Sequence, residues 1–274
     1  QQHVTPRTSA EYWLRPEHTA YGADSTTRPR ASAPPEIVEA SALAEALVKE
    51  RRPWSQWKPS FALGNCYSNG HDTVGWHSDH LSELGPRPII VGLALGATRL
   101  FRLRHELSNT IVSIPMPHNS AIVMWDDCQE NWQHCVPRQA DSSVLRHSVA
   151  GLTRISLTFR MVRPELDSKR VQCRCGRASI LKSKNGKYYQ ACSPIASTTQ
   201  CGFWEPCAWA QVEADRLRES LKQHSAANSD IANTMPQKTQ FLTEQSSDRS
   251  SHEEPKVYEG VAGGTLERPV IDIT

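Results

Sequence analysis

The chain has 274 residues, which is long enough for one large domain or two smaller ones, and its hydrophobic content is only 38%. That content lies below the globular average of about 45–50%, so part of the chain is expected not to pack. No apolar run reaches about 18 residues, which excludes a transmembrane helix. Net charge is only +2, so affinity for a polyanion must come from a local cluster of charges.

The elements predicted first along the chain are a loop and a helix. Residues 1–35 mix Pro, Thr, Arg and Ser without periodicity and predict a loop, and no signal-peptide pattern follows Gln1, as expected of a trimmed chain. Proline suits the first turn of a helix, so Pro34 and Pro35 predict a helix start and a helix over 36–51.

Short apolar runs punctuated by Gly, Pro and Asn dominate the next hundred residues and predict strands. The runs are Phe61–Tyr67, Pro88–Leu95, Leu100–Arg104, Thr110–Ile114, Ala121–Trp125 and Thr153–Phe159. Six short strands after one early helix indicate a mainly β fold built from two sheets.

A basic, cysteine-rich segment begins near Pro164. Residues 163–187 carry eight Lys or Arg against two acidic residues, an excess that favours a polyanionic partner. Five of the eight cysteines fall within residues 173–207, and without a secretory signal such a cluster indicates metal ligands before disulfides. A short helix is predicted over 211–224, within a helical pattern that starts at Ala208. The acidic, Ser-rich segment 225–274 is predicted to be a disordered tail.

The stretch from Asn65 to Asp79 contains the first candidate site. His77 and Asp79 are two residues apart, so on a strand both side chains would project to one face. A second histidine, His134, lies 57 residues beyond His77. Two imidazoles and one carboxylate form the facial triad of non-haem Fe(II) oxygenases, which leaves positions open for a 2-oxo acid and dioxygen.

A 2-oxo acid with a distal carboxylate also needs a cationic partner. Alternation along 153–160 places Arg154 and Arg160 on one strand face, and a guanidinium fork can hold a carboxylate through two hydrogen bonds. Asn65 and Tyr67 likewise share a strand face and can donate hydrogen bonds. A solvated strand face is the alternative interpretation of both arginines.

Taken together, these pieces resemble the AlkB family of Fe(II)/2-oxoglutarate dioxygenases over about residues 3–163. The matching features are Asn65-x-Tyr67, Asn69-Gly70, His77-x-Asp79, Leu84-Gly85 to Ile90, Leu95-Gly96-Ala97 with Arg99 and Phe101, Trp132-x-His134, the Arg154 to Arg160 strand, Thr5-Pro6-Arg7 and Tyr21-Gly22. The resemblance implies a dioxygenase domain over 1–163 with a double-stranded β-helix (jelly-roll) core.

The resemblance also implies the roles of the site residues. Iron would be held by His77, Asp79 and His134, and Arg154 would grip the distal carboxylate of 2-oxoglutarate. That cofactor site would be completed by Asn65, Tyr67 and Arg160. The implied reaction uses dioxygen, converts 2-oxoglutarate to succinate and hydroxylates an N-methyl group, which leaves as formaldehyde from a base flipped out of any duplex.

Two departures from the family pattern affect the expected substrate. Repair members carry an acidic residue two positions after the aspartate ligand, where it reads the amino edge of the base, and here that position is Leu81, with Glu83 close by. Residues around 140–150 are extra and are predicted to form a surface insertion.

The cysteine segment predicts a zinc site, because zinc takes four soft or borderline ligands in a tetrahedron. The predicted ligands are Cys173, Cys175, Cys192 and Cys201, with Cys207 as an alternative. With Gly186-Lys187-Tyr188-Tyr189 between them, residues 170–210 resemble a GRF-type zinc finger, which implies binding of single-stranded nucleic acid.

Aromatic and basic side chains in this segment are the expected nucleic-acid contacts, because bases stack on aromatic faces while Lys and Arg follow the phosphates. The contacts are Lys182, Lys184, Lys187, Tyr188, Tyr189, Phe203 and Trp204. The alternative is that the aromatic side chains form the core of the small module.

The sequence therefore predicts a nuclear, monomeric enzyme that demethylates bases of DNA or RNA and has no membrane contact. A catalytically idle nucleic-acid-binding protein is one alternative. A dioxygenase with a protein or small-molecule substrate, suggested by Leu81, is the other.

Overall fold

The computed structural model describes residues 7–14, 31–193, 201–228, 243–244 and 270–273. Its elements are β1 (Thr8–Trp13), β2 (Ala31–Ser32), α1 (Pro35–Arg51), β3 (Phe61–Tyr67), β4 (Val74–His77), α2 (Leu81–Leu84), β5 (Ile90–Gly96), β6 (Arg99–His105), β7 (Ile111–Met116), β8 (Ser120–Met124), α3 (Cys128–Asn131), β9 (Trp132–Val136), β10 (Arg154–Arg160), β11 (Ile180–Lys184), β12 (Lys187–Ala191), β13 (Trp204–Pro206), α4 (Ala208–Asn228), β14 (Thr243–Glu244) and β15 (Val270–Ile273). Within these residues no helix is both long and apolar enough to span a membrane.

Two sheets form the main body, as the sequence predicts. The larger has the strand order β15-β8-β5-β10-β3-β1-β2 and the smaller has the order β14-β7-β6-β9-β4. Alternating residues such as Phe61, Ile90, Phe101 and Ile114 fill the space between the sheets. This sandwich confirms the jelly-roll prediction and leaves the inward faces of β3, β4, β9 and β10 around one cavity.

Helix α1 covers the outer face of the larger sheet, where Ala44 and Val48 pack against Leu157 and Phe159. Its bounds confirm the helix predicted over 36–51, with Pro35 in the first turn. Because Leu157 and Phe159 face this helix, the alternate residues of β10 must face the cavity.

Six described strands of the two sheets are missing from the prediction, namely β1, β2, β4 and β9 and the tail strands β14 and β15. The loop predicted over residues 1–35 is wrong for Thr8–Trp13, which pairs with β3 in antiparallel register, and for Ala31–Ser32, which pairs with β1 in parallel register. Strands β4 and β9 are four and five residues long and were not predicted as strands. Most of the remaining N-terminal residues, including Thr5-Pro6 and Tyr21-Gly22, lie outside the described part.

The cysteine-rich segment folds into a three-stranded sheet, β11-β12-β13, followed by helix α4. We call residues 170–193 and 201–228 the C-terminal module. Its own apolar cluster contains Leu181, Tyr188 and Cys207 together with Leu81 of the main body. The module is therefore docked on the main body through a shared core.

The predicted insertion and tail are partly described. Leu145 and Val149 are 70% and 89% exposed, as expected of a surface insertion. In the segment predicted to be a disordered tail, two short stretches form edge strands, with β14 on β7 and β15 parallel to β8. Residues 225–228 continue helix α4, and the rest of that tail lies outside the described residues.

Candidate metal centres

The structure brings His77, Asp79 and His134 together, with their ligand atoms all within 4.8 Å of one another. The two histidines are direct partners in the register of β4 and β9, which explains how residues 57 positions apart meet. Asp79 does not lie on the strand as expected, because β4 ends at His77. It reaches the same point from the turn before α2.

The charge states at this centre suit a divalent metal. The ring nitrogen Nδ1 of His77 lies 2.9 Å from the carbonyl oxygen of Gly75, and donation to that oxygen leaves Nε2 with a free lone pair. Burial, reinforced by the neighbouring His77, lowers the pKa of His134 to about 3, so its imidazole is neutral. Burial alone would raise the pKa of Asp79, but Arg160 holds it well below the usual range.

Arg160 lies beside the candidate metal ligand. Its Nε is 2.7 Å from Oδ2 of Asp79 and its Nη2 is 2.9 Å from Oδ1, with both side chains buried. Such a two-point pair fixes the plane of the carboxylate. Arg160 also lines the cavity, so its position beside the predicted cofactor site agrees with the alternation along β10.

Arg154 is a buried cation without an anion among the described residues. It is 2% exposed, and its Nε and Nη1 atoms have no hydrogen-bond partner there. Burial lowers its pKa to about 10, and the ring centre of Tyr67 lies 5.4 Å from its guanidinium carbon. Because a buried charge needs a partner, this guanidinium is a candidate site for an anionic ligand.

Asn65 completes the wall of the same cavity, which has a volume of about 60 Å³. Its Oδ1 atom accepts a hydrogen bond of 2.8 Å from Nε of Arg7, which leaves the amide N–H groups as donors. The cavity is lined by Asn65, Tyr67, His77, His134, Arg154 and Arg160. All four residues predicted to hold 2-oxoglutarate thus lie with two of the predicted iron ligands around one space.

Two residues that support the site were not predicted as site residues. Arg99, which is fully buried, donates to the carbonyl oxygens of Asn69, Gly70, Asp72 and Pro137 and so fixes the loop before β4. Its place in the Leu-Gly-Ala-x-Arg motif is the signal that could have revealed it.

Gln129 is the second support. Its Oε1 atom accepts a hydrogen bond of 2.8 Å from the backbone N–H of Asp79. No motif marks this glutamine, because its importance depends on α3 lying beside the turn that carries Asp79.

The four predicted zinc ligands also converge. The sulfur atoms of Cys173, Cys175, Cys192 and Cys201 all lie within 4.8 Å of one another. Sulfur–sulfur distances of 3.0, 3.3 and 3.8 Å approach the edge of about 3.8 Å expected for a tetrahedron of zinc–sulfur bonds. All eight cysteines lie in described residues and none forms a disulfide.

Arg177 and backbone groups favour the thiolate form of Cys175. The backbone N–H of Arg177, then the neighbouring Cys173, lowers the pKa of Cys175 to about 6. The guanidinium of Arg177 donates to the sulfur atoms of Cys175 and Cys192, at 3.1 Å each. Cys207, the alternative ligand, is buried in the apolar cluster of the module and is absent from the four-sulfur group.

The module's sheet divides the predicted nucleic-acid contacts between two faces. Lys182 pairs with Tyr189, and Lys184 pairs with Lys187, across β11 and β12. The ring of Tyr189 lies 5.6 Å from that of Trp204, which is 58% exposed. We call these five residues the outer face of the module. Phe203, also predicted, is half-buried beside it.

Tyr188 corrects the prediction for this residue. It points to the opposite side of the sheet, is 4% exposed and donates a hydrogen bond of 2.8 Å to Oε1 of Glu130 in the main body. Adjacent residues of a strand face opposite sides, so Tyr188 and Tyr189 cannot both reach one ligand. Here Tyr188 belongs to the core, as the alternative interpretation of these aromatic side chains proposed.

Leu81, at the position where an acidic residue is usual, is buried in the same apolar cluster as Leu181 and Tyr188. Glu83 does not replace an acidic residue at the cavity. Its side chain lies near Arg170 of the module, at 3.9 Å, and it does not line the cavity.

Comparison with known proteins agrees with this geometry. A family model described as the 2OG-Fe(II) oxygenase superfamily matches residues 1–160. Over 112 residues the chain is 38% identical to bovine (Bos taurus) and 37% identical to human (Homo sapiens) alpha-ketoglutarate-dependent dioxygenase alkB homolog 3, covering 38% of this chain and 36% of each relative. It is 32% identical over 111 residues to human DNA oxidative demethylase ALKBH2, covering 38% and 40%. The alignments thus span less than half the length of these curated relatives.

Proposed function

The chain belongs to the 2OG-Fe(II) oxygenase superfamily, and from that premise we propose that it oxidatively demethylates N-alkylated bases in nucleic acid. The observation that carries the proposal is one cavity shared by a His-Asp-His centre and a buried arginine without an anion. The name of the human relative, a DNA oxidative demethylase, supports nucleic acid as the substrate class.

Each side chain of the site has a part in this reaction. His77, Asp79 and His134 fit ferrous iron, because two imidazoles and one carboxylate could fill three positions of an octahedral metal. When bound, ferrous iron and 2-oxoglutarate supply the oxidation, in which one oxygen atom of dioxygen enters succinate and the other enters the N-methyl group. Arg160 holds the Asp79 carboxylate in a fixed plane.

The other half of the cavity fits the co-substrate. Arg154 would pair with the distal carboxylate of 2-oxoglutarate, and Tyr67 and the amide of Asn65 would donate to it. These groups lie on β10 and β3, which pair directly, with Arg154 opposite Tyr67 in the register. Two adjacent strands thus form the anion site, and one of them, β10, also carries Arg160 beside Asp79.

The test is turnover by the purified chain with Fe(II), ascorbate, 2-oxoglutarate and methylated oligonucleotides, followed by succinate, formaldehyde and base identity. His77→Ala should abolish all three products, whereas His118→Ala, which changes a histidine outside the cavity lining, should not. If the chain made succinate and formaldehyde from a methylated protein or small molecule but left the oligonucleotides methylated, the alternative substrate class would be favoured. Burial of Leu81 is the observation that motivates this alternative. A metal-loaded chain that makes no product from any of these substrates would support an idle, nucleic-acid-binding protein.

We also propose that Cys173, Cys175, Cys192 and Cys201 hold zinc and that the outer face of the module binds single-stranded nucleic acid. Three lysines and two partly exposed aromatic rings lie on that face, which suits phosphates and unstacked bases.

Salt dependence of binding tests the second proposal. Changing Lys182, Lys184 and Lys187 to Gln should reduce the slope of log affinity against log salt by about 0.7 for each lost phosphate contact. The same change at Lys49, Lys58 and Lys222 is the charge-matched control. Equal slopes in the two variants would contradict the assignment of the outer face. The zinc site is tested separately, by a metal assay that should find one zinc per chain.

A further inference from the structure

The C-terminal module is docked on the two short turns that flank the candidate iron ligands. Helix α2 starts two residues after Asp79, and α3 leads directly into β9, which carries His134. Helices α2 and α3 each contain only four residues, and helices this short are not stable by themselves. Their positions must therefore be fixed by the groups packed around them.

Helix α2 is held from two sides. Leu84 packs into the core between the sheets, whereas Leu81 packs into the apolar cluster of the module. The hydroxyl of Ser82 accepts a hydrogen bond of 2.9 Å from the backbone N–H of Leu181. The module thus contributes one of the two apolar contacts that locate this turn.

Helix α3 contacts both the module and the candidate iron ligand Asp79. Oε1 of Glu130 accepts hydrogen bonds from the Tyr188 hydroxyl, at 2.8 Å, and from the backbone N–H of Arg87, at 2.6 Å. The preceding residue, Gln129, accepts from the backbone N–H of Asp79 at 2.8 Å. Only one peptide bond separates the residue that the module holds from the residue that holds the metal ligand.

The cysteine cluster fixes the strand that presents Tyr188. Cys192 follows the end of β12, and Cys201 lies shortly before β13. The backbone N–H of Cys207 also donates to the carbonyl oxygen of Tyr188 at 2.9 Å. A metal shared by the four thiolates would join the two strands at the end where they pair.

We infer that the module is a positioning element of the iron site, with Tyr188 as a positioning residue for Asp79. This inference rests on the proposed function for the iron and zinc sites. The contact with Glu130 and the apolar contact with Leu81 both hold the segments on either side of the metal ligands. A chain with a disordered module should therefore bind ferrous iron less tightly, even when every ligand is intact.

Tyr188→Phe in the full chain tests the inference, because phenylalanine keeps the ring in the apolar cluster and removes only the hydroxyl. Tyr12→Phe is the matched control, because Tyr12 lies on β1 and packs in the apolar cluster under α1, on the outer face of the larger sheet. Ferrous affinity is read anaerobically from the charge-transfer absorption of the iron–2-oxoglutarate complex. Hydrogen exchange of residues 78–84 and 128–131 is read without metal.

Tyr188→Phe should weaken ferrous affinity about three- to tenfold, below the 10–100-fold typical of a direct partner of a ligand. It should also accelerate exchange in both segments, whereas Tyr12→Phe should change neither. Ser82→Ala, which removes the acceptor for Leu181, should accelerate exchange in residues 78–84. Tyr188→Phe with wild-type exchange and wild-type affinity would overturn the inference. Accelerated exchange in a chain whose wild type binds no ferrous ion would support the coupling and refute the proposed oxygenase.

Discussion

Glu130 is a buried carboxyl group whose proton links stability to pH. It is 6% exposed, and its Oε2 atom has no hydrogen-bond partner among the described residues. Burial raises its pKa from 4.5 to about 7, although the backbone N–H of Arg87 and the hydroxyl of Tyr188 partly oppose the shift. Near pH 6 the folded chain therefore keeps a proton that the unfolded chain has released.

The free energy of unfolding should fall as pH rises through this window, because the folded state binds more protons than the unfolded state between the two pKa values. A separation of about 2.5 pKa units corresponds to about 3 kcal/mol once both forms are ionised. Glu130→Gln mimics the protonated side chain and keeps an oxygen acceptor for Arg87 and Tyr188. The variant should lie within about 1 kcal/mol of wild type near pH 5 and be about 3 kcal/mol more stable at pH 8.

Urea unfolding at pH 5, 6.5 and 8, at constant zinc concentration, measures this difference. Glu205→Gln on the exposed strand β13 is the control and should change the free energy of unfolding by less than about 0.5 kcal/mol at every pH. If the wild-type and Glu130→Gln values stayed parallel from pH 5 to pH 8, the assignment of the raised pKa to this carboxyl would be wrong.

Three other substitutions test the remaining contacts. Arg154→Lys should raise the KM for 2-oxoglutarate about 10-fold or more, because an ammonium group cannot form two parallel hydrogen bonds to a carboxylate. The KM is measured from succinate formation at increasing 2-oxoglutarate concentration, and an unchanged KM would contradict the anion site. Arg99→Met should lower the free energy of unfolding by about 3–5 kcal/mol, because four carbonyl oxygens lose their buried donor. Denaturant unfolding measures the change, and a loss below about 1 kcal/mol would refute the role of Arg99 in fixing the loop before β4. Leu81→Asp should make the segment between the main body and the module sensitive to limited proteolysis, because a carboxylate would be buried among apolar side chains. Leu81→Met should stay resistant. A Leu81→Asp chain as resistant as wild type would refute the docking.

The sequence was sufficient to select two sets of candidate metal ligands, because few residue types can bind a metal. The residues His77, Asp79 and His134, and the four cysteines, are types that bind metals, and the structure brings each set together. The strand ending at His77 could not be predicted as easily. Val74–His77 contains a glycine and only four residues, and it is a strand because β9 pairs with it.

The faces of the module could not be predicted from residue types alone. Tyr188 and Tyr189 are chemically identical, and strand alternation requires only that they face opposite sides. The side that becomes buried is decided by α2 and α3, about 100 and 60 residues earlier in the chain, which supply Leu81 and the acceptor Glu130. Long-range docking of this kind leaves no periodic signal in the segment itself.

The same docking gives a physical reason for the leucine at position 81. A side chain two residues beyond Asp79 can face the substrate only if nothing covers the first turn of α2. Here the module covers that turn, and an acidic residue would be buried against Leu181 and Tyr188 without a partner. The buried leucine at position 81 and the docked module are thus two aspects of one arrangement. Under the proposed function, recognition of the base would then depend on other groups, and the outer face of the module would supply affinity for the strand, not discrimination among bases.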